Sequence, residues 1–143
     1  MTRMKNHTAW AGALAVAAEL SRRGYDAAIT LGNTPALDII CSSPEEKSFT
    51  MQIKSLSKAN WVLIRKEHLE RAPRSDLYFA VVLVTTDDAK PFVFHILTHA
   101  DVCESYGRQS RVKKDGQPHK SGMEGLAWGE VTPFLNKWDK LPS

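Results

Sequence analysis

Residues 37–56 constrain the fold more than any other part of the chain, because they contain two apolar strand patterns joined by a short polar segment. That segment, Ser-Pro-Glu-Glu-Lys, is typical of a turn, and a hairpin symmetric about Glu45 places Asp38 opposite Gln52. Gln52 and Lys54 are two residues apart, so both side chains point to one face of their strand. The sequence therefore predicts that a carboxylate, an amide and an ammonium group converge on one patch.

The chemistry of this patch suits a hard divalent cation. Such cations prefer oxygen ligands, which the Asp38 carboxylate and the Gln52 amide both offer, and Lys54 beside them can orient or deprotonate a water molecule. Apolar residues flank Asp38 on both sides, where an unpaired charge is costly. The alternative is an ordinary exposed strand edge, with the glutamine and the lysine facing water.

The pattern Asp38 … Gln52-Ile53-Lys54 resembles the PD-(D/E)xK, or restriction-endonuclease-like, nuclease superfamily. In that family an aspartate opens one strand and Glu-x-Lys lies on the next; Gln52 gives the Gln-x-Lys variant of Mrr-type nucleases. Upstream, a helix over AWAGALAVAAELSRRG and a strand over YDAAITL follow an order similar to that of archaeal Holliday-junction resolvases. The resemblance covers residues 9–58 best.

The resemblance implies an α/β fold, with a mixed central β-sheet flanked by helices, and metal-dependent hydrolysis of phosphodiester bonds, with DNA as the expected substrate. It makes Asp38, Gln52 and Lys54 the catalytic residues. Asp38, Gln52 and the backbone carbonyl of Ile53 would hold Mg²⁺ or Mn²⁺, and Lys54 would activate the attacking water. Metal affinity should be weaker than with glutamate, because a neutral amide supplies less charge.

One feature of the family pattern is missing from the first helix. Resolvase-like relatives complete the metal shell with an acidic residue near the start of that helix, but residues 12–16 contain none. Glu19, one or two turns later, is the remaining candidate. The departure leaves open a catalytically inactive nuclease-fold module that binds nucleic acid or a protein partner in a defence or mobile-element system. The complete Asp–Gln–Lys set opposes that alternative.

Basic residues in two segments are candidates for gripping phosphates. The segment Gly107–Gly122 is rich in lysine and arginine, and is either a solvated loop or an arm that contacts DNA. A second group follows the Gln-x-Lys strand and is expected to face the same groove. The predicted nucleic-acid-binding residues are Lys58, Arg65, Lys66, Arg111, Lys113 and Lys114.

Length and composition place the chain among ordinary globular proteins. Its 143 residues predict one domain, and 43% hydrophobic residues with a net charge of +3 permit nucleic-acid binding without requiring it. Two cysteines and no long apolar segment indicate a reducing, cytoplasmic location without a membrane span. His95, His99 and Cys103 have zinc-ligand chemistry, but ordinary packing is favoured because they straddle a strand and a helix. A homodimer is expected if both DNA strands are cut.

The remaining elements follow from periodicity and capping. A helix is predicted from Ala9 to Arg23 with Thr8 as its N-cap. The nearly continuous apolar run Leu77–Val84 predicts a buried central strand, with Phe92–Leu97 as its neighbour. Thr98 then begins a helix with a capping box, and an amphipathic segment follows near the C-terminus.

Overall fold

The computed structural model describes residues 3–30, 37–109 and 124–143. The protein is an α/β protein with a mixed five-stranded central sheet of order β1-β2-β3-β5-β6, which confirms that expectation. Its elements are α1 (Arg3–Arg22), β1 (Asp26–Thr30), β2 (Leu37–Ser42), β3 (Ser48–Leu56), β4 (Val62–Leu63), α2 (Lys66–Leu69), β5 (Leu77–Leu83), β6 (Val93–Thr98), α3 (His99–Arg108), β7 (Gly125–Leu126) and α4 (Trp128–Val131), followed by 3₁₀ turns at Thr132–Phe134 and Trp138–Lys140.

The sheet combines both strand directions. β1, β2 and β3 form an antiparallel meander, β3 pairs in parallel with β5, and β6 returns antiparallel to β5. A parallel neighbour requires the chain to cross the sheet between the two strands. Here the crossover contains β4 and α2, and β4 pairs with β7 in a separate two-stranded sheet. The crossover therefore brings α2 near β3 and β5.

The β2–β3 hairpin has the register that the turn symmetry predicts, with Asp38 opposite Gln52. The turn is closed by backbone hydrogen bonds, from Ser43 N–H to Lys47 O at 2.9 Å and from Glu46 N–H to Ser43 O at 2.8 Å. Glu46 takes a left-handed conformation with φ of 63°. This closed turn fixes which face of the sheet each hairpin side chain occupies.

The two faces of the sheet pack against different apolar clusters. One face packs against α1, and its fully buried contacts include Ala13, Val16, Leu20, Ile39 and Met51. The other face packs against α3 and residues 126–134, with Phe79, Val81, Leu97, Val102 and Val131. Strand β5 contributes to both clusters and is buried along most of its length, as predicted for a central strand.

The helix ends test the capping predictions. Thr8 lies inside α1, which begins at Arg3, so the predicted N-cap is wrong; the preceding segment contains no proline or glycine to stop a helix. Gly24 follows the helix with a φ of 89°, a conformation that favours glycine. The capping box of α3 is confirmed, because the side chains of Thr98 and Asp101 each accept a backbone N–H at 2.9 Å.

No helix within the described ranges is both long enough and apolar enough to cross a bilayer. The longest, α1, has 20 residues, but charged residues such as Glu19 and Arg22 interrupt it.

Gly12 allows α1 to lie directly on β3. A Cβ atom at this position would overlap the Ser55 hydroxyl and lie 2.8 Å from Ser55 Cβ. The Ser55 hydroxyl is itself buried, with no hydrogen-bond partner among the described residues. The close approach of α1 to β3 therefore depends on residue 12 being a glycine, which has no side chain.

Gly12→Ala should destabilise the protein by about 1–2 kcal/mol, because the overlap with Ser55 outweighs the gain in helix propensity. Urea unfolding measures the effect. Gly107→Ala is the matched control, since nothing lies within 4 Å of a Cβ at that helical position. The control should be neutral or slightly stabilising, and equal effects of the two substitutions would show that α1 does not need a glycine there.

Candidate active site on the hairpin face

Asp38, Gln52 and Lys54 lie on the sheet face that points away from α1. The register puts Asp38 beside Gln52 across β2 and β3, and pairs Gln52 with Phe79 and Lys54 with Val81 on β5. Phe79 and Val81 belong to the apolar cluster on the α3 side. The structure therefore brings the three predicted side chains together on one face, next to the apolar cluster on the α3 side.

The Asp38 carboxylate is incompletely satisfied. Its Oδ1 atom is buried and has no hydrogen-bond partner in the described part of the chain. Burial raises the pKa of Asp38, and the positive charges of Lys54, His68 and Arg65 oppose that rise. A buried acceptor without a partner costs about 1–3 kcal/mol. This carboxylate is consequently placed where a bound cation would relieve an unfavourable environment.

Lys54 is the cationic counterpart of Asp38. Burial lowers the pKa of the Lys54 ammonium; the Asp38 carboxylate raises it, and Arg65 lowers it further. Within the described residues no ion pair joins Asp38 and Lys54, although each shifts the other's pKa. Neither group is neutralised by direct contact with the other. Both keep hydrogen-bonding capacity for a ligand.

His68 of α2 joins this group, and the sequence analysis missed it. The Gln52 Nε2–H donates to His68 Nε2 over 3.0 Å. An amide nitrogen only donates, so the imidazole Nε2 accepts and the ring proton lies on Nδ1. Burial and the neighbouring His99 lower the pKa of His68, which favours this neutral form. A single histidine in the short segment KEHL carries no motif that could have revealed this contact.

Side chains of α3 hold His68 in place by hydrogen bonds to its backbone carbonyl. His99 Nε2–H donates to the His68 carbonyl over 2.6 Å, while His99 Nδ1 accepts the Arg74 N–H at 2.8 Å. The Cys103 thiol donates to the same carbonyl over 3.4 Å. The His68 ring packs edge-on against Phe79, with ring centres 5.9 Å apart. These contacts give His99 and Cys103 structural roles.

His95 lies apart from this arrangement. Its Nδ1–H donates to the Val81 carbonyl over 3.0 Å, and its ring packs against Trp128 with centres 5.0 Å apart. Across residues 3–30, 37–109 and 124–143, no three His, Cys, Asp or Glu side chains are arranged to hold a metal ion. The hairpin patch differs from such a cluster because it combines one carboxylate with an amide oxygen. Carboxylate and amide oxygens are ligands that hard cations such as Mg²⁺ prefer, whereas zinc favours nitrogen and sulfur ligands.

A cleft of about 390 Å³ adjoins Lys54. Its volume falls within the range of small-ligand sites. It is lined by Lys54, Leu63, Ile64, Arg65, Lys66, Glu67 and Glu124. Arg65 pairs with Glu67 at 3.3 Å, and Lys66 approaches Glu70 at 3.9 Å, but both pairs are exposed and hence weak. Its walls carry three cations and two carboxylates, which leaves a small excess of positive charge.

Glu19 does not join the site. It pairs with Arg22 at 2.9 Å and Arg23 at 3.4 Å, and the hydrogen bond from Arg22 is the main cause of its lowered pKa. It lies near the C-terminal end of α1, and Gly24, two residues past that end, lies close to Pro44 at the turn end of the hairpin. Asp38 lies at the opposite end of β2. Glu19, the remaining candidate for the helix acid, instead forms surface ion pairs with Arg22 and Arg23.

The other predicted residues have mixed placements. Arg65 and Lys66 are exposed at the cleft, and Lys58 is exposed just beyond β3. The Ile53 side chain packs in the α1 cluster, so only its backbone is available to the patch. Arg111, Lys113 and Lys114 lie outside the described residues.

Comparison with known proteins does not assign this chain to a family. No protein-family model matches the chain, and no curated protein or solved structure does. The class defined so far is an α/β protein with a mixed five-stranded sheet and an Asp–Gln–Lys–His group on one face.

In metal-free buffer with EDTA, Asp38→Asn should raise the melting temperature at pH 7. The pKa of folded Asp38 lies above its ordinary value of 3.8, so the folded state holds this proton more tightly than the unfolded state. Stability associated with Asp38 is therefore lost as pH rises through that folded pKa. The difference between the variant and the wild type should vanish below about pH 3.8.

Asp76→Asn is the matched control, because the Arg74 hydrogen bonds lower the pKa of that exposed carboxyl. The pKa shift of Asp76 is opposite in sign to that of Asp38, so Asp76→Asn should not raise the melting temperature at pH 7. A lower melting temperature for Asp38→Asn at pH 7 would show that the Asp38 carboxylate is satisfied after all.

Proposed function

We propose that this protein is a metal-dependent endonuclease with a restriction-endonuclease-like core, which hydrolyses phosphodiester bonds in nucleic acid, with DNA as the expected substrate. The order α1-β1-β2-β3 supports the proposal, since it matches the helix and strands that carry the PD-(D/E)xK motif. The observation that carries it is the buried, partnerless Asp38 oxygen opposite Gln52, with Lys54 on the same face.

Asp38 and the Gln52 side-chain oxygen would hold Mg²⁺ or Mn²⁺, with the Ile53 carbonyl as a further expected ligand. Both side chains offer oxygen to a hard cation, and the Asp38 oxygen has no competing partner among the described residues. When bound, the metal would polarise the scissile phosphate and stabilise the charge that develops on it.

Lys54 would position the attacking water and assist its deprotonation. Burial lowers the pKa of this ammonium, which makes Lys54 a better proton acceptor than an exposed lysine near neutral pH. Its side chain also lines the cationic cleft, so a phosphate bound there would lie beside it. Arg65 and Lys66 would then contact the phosphate backbone. Lys58 and the basic residues of segment 107–122 would add further phosphate contacts.

A competing function is a nuclease-fold module that binds nucleic acid or a protein partner without cutting. One observation favours it: Glu19 is engaged in ion pairs at the far end of the hairpin. Glu19 is the one acid within α1, so this helix adds no carboxylate beside Asp38. Because a fold does not determine its function, activity measurements must separate the two readings.

Lys54→Ala should reduce Mn²⁺-dependent cleavage of DNA by about 100-fold or more, because the substitution removes the group that generates the nucleophile. Thermal unfolding and DNA binding in EDTA should change little. Lys47→Ala is the control, since Lys47 is an exposed lysine at the turn end of the same hairpin. Cleavage that survives in Lys54→Ala as well as in this control would remove Lys54 from the mechanism.

Gln52→Glu is the complementary change within the same test. It adds a negative ligand, so Mn²⁺ should bind more tightly, and cleavage should rise if metal affinity limits the rate. If wild type and Gln52→Glu are both inert on duplex, single-stranded and branched DNA, the non-catalytic module is the better account.

DNA binding should weaken steeply with salt, because the expected contacts are to phosphates. Neutralising Arg111, Lys113 and Lys114 together should lower affinity for unrelated sequences alike, and should reduce the slope of log K against log salt by about one per lost contact. Fluorescence anisotropy across a salt series measures both quantities. Neutralising Lys47 and Lys90, which are exposed and away from the cleft, is the control. Equal salt slopes for the two sets would mean that the basic segment is only solvated surface.

A further inference from the structure

We propose that His68 is a positioning residue that turns the Gln52 amide so that its oxygen, and not its NH₂ group, faces Asp38. The inference deepens the proposed function and rests on it for the metal. Its basis is the hydrogen bond from Gln52 Nε2 to His68 Nε2, at 3.0 Å. Since the imidazole nitrogen accepts, the NH₂ end of the amide is committed to His68.

The strand order indicates the direction in which the Gln52 side-chain oxygen points. Gln52 has Asp38 as its neighbour on β2 and Phe79 as its neighbour on β5. The His68 ring packs against Phe79, so His68 lies on the β5 side of Gln52. With its nitrogen directed to that side, the amide presents its oxygen toward β2 and Asp38.

This orientation has chemical value only because residue 52 is a glutamine. A glutamate would present one of two equivalent oxygens to a cation whichever way its carboxylate turned. An amide has one oxygen and one NH₂ group, and only the oxygen can bind a cation. A fixed acceptor on the far side therefore gives Gln52 a defined metal-facing end.

His68 can set this orientation because its own position is restrained. Its carbonyl accepts hydrogen bonds from His99 and Cys103 of α3, and its ring packs against both Phe79 and His99. The restraint passes from α3 through the His68 backbone and ring to the Gln52 amide. Partners of this kind commonly change metal affinity by about 10- to 100-fold when they are lost.

The orientation can be tested first without any metal. In isotope-labelled protein, an N–H···N hydrogen bond gives a scalar coupling between its two nitrogens. A coupling between Gln52 Nε2 and His68 Nε2 in EDTA at neutral pH is the expected result. It should be lost in His68→Phe, which keeps a ring against Phe79 but has no acceptor. No coupling in the wild-type protein would overturn the proposal.

A double-mutant cycle with Mn²⁺ alone, measured by calorimetry, tests the consequence. His68→Phe should weaken Mn²⁺ binding by about tenfold or more when residue 52 is glutamine. The same substitution in Gln52→Glu should change Mn²⁺ affinity by less than about threefold, because a carboxylate has two equivalent oxygens. Unfolding midpoints of all four proteins control for loss of structure. Equal losses in both backgrounds would overturn the positioning role.

The two ideas fail separately. Wild-type protein that shows the nitrogen–nitrogen coupling but binds no Mn²⁺ would count against the proposed metal site, while the amide orientation would stand. If His68→Phe binds Mn²⁺ as tightly as the wild-type protein does, the positioning role of His68 is overturned, whether or not the protein cuts DNA.

Discussion

The pairing register of β2 with β3 is the constraint on which the rest of the structure depends. In this register Ile39, Met51 and Ile53 all enter the cluster under α1, and Asp38 and Gln52 lie together on the other face. A shift of one residue would turn the aspartate into the α1 cluster and expose the apolar side chains. The free energy of burying the apolar set therefore also enforces the polar arrangement.

The polar face is an unfavourable environment that the surrounding structure maintains. Burial moves the pKa values of Asp38, Lys54 and His68 in the direction of their neutral forms, and one carboxylate oxygen has no partner in the described ranges. Perturbed groups that share a cleft are typical of functional sites, although structural networks produce them too. Here the cluster around Phe79 supplies the low-polarity wall, and Lys54 also lines the neighbouring cleft.

Much of the hairpin could be predicted because its determinants are local. The turn sequence and strand periodicity were sufficient to pair Asp38 with Gln52, and the Thr98–Asp101 box marked the start of α3 correctly. Local rules failed where the signal was absent or short. Thr8 resembles an N-cap, but the preceding residues also favour helix, so α1 begins earlier. Strand β7 has two residues and is defined only by its partner β4, which lies far away in sequence.

The sequence by itself determined the α/β pattern, the hairpin register and the identity of three groups on its polar face, because periodicity and turn chemistry act over a few residues. Tertiary structure alone decided the partners of those groups. It paired Glu19 with arginines at the wrong end of the hairpin, and it brought His68 to Gln52 through the crossover between two parallel strands. Such contacts depend on how the crossover and α3 pack on the sheet, and no spacing along the chain encodes that packing.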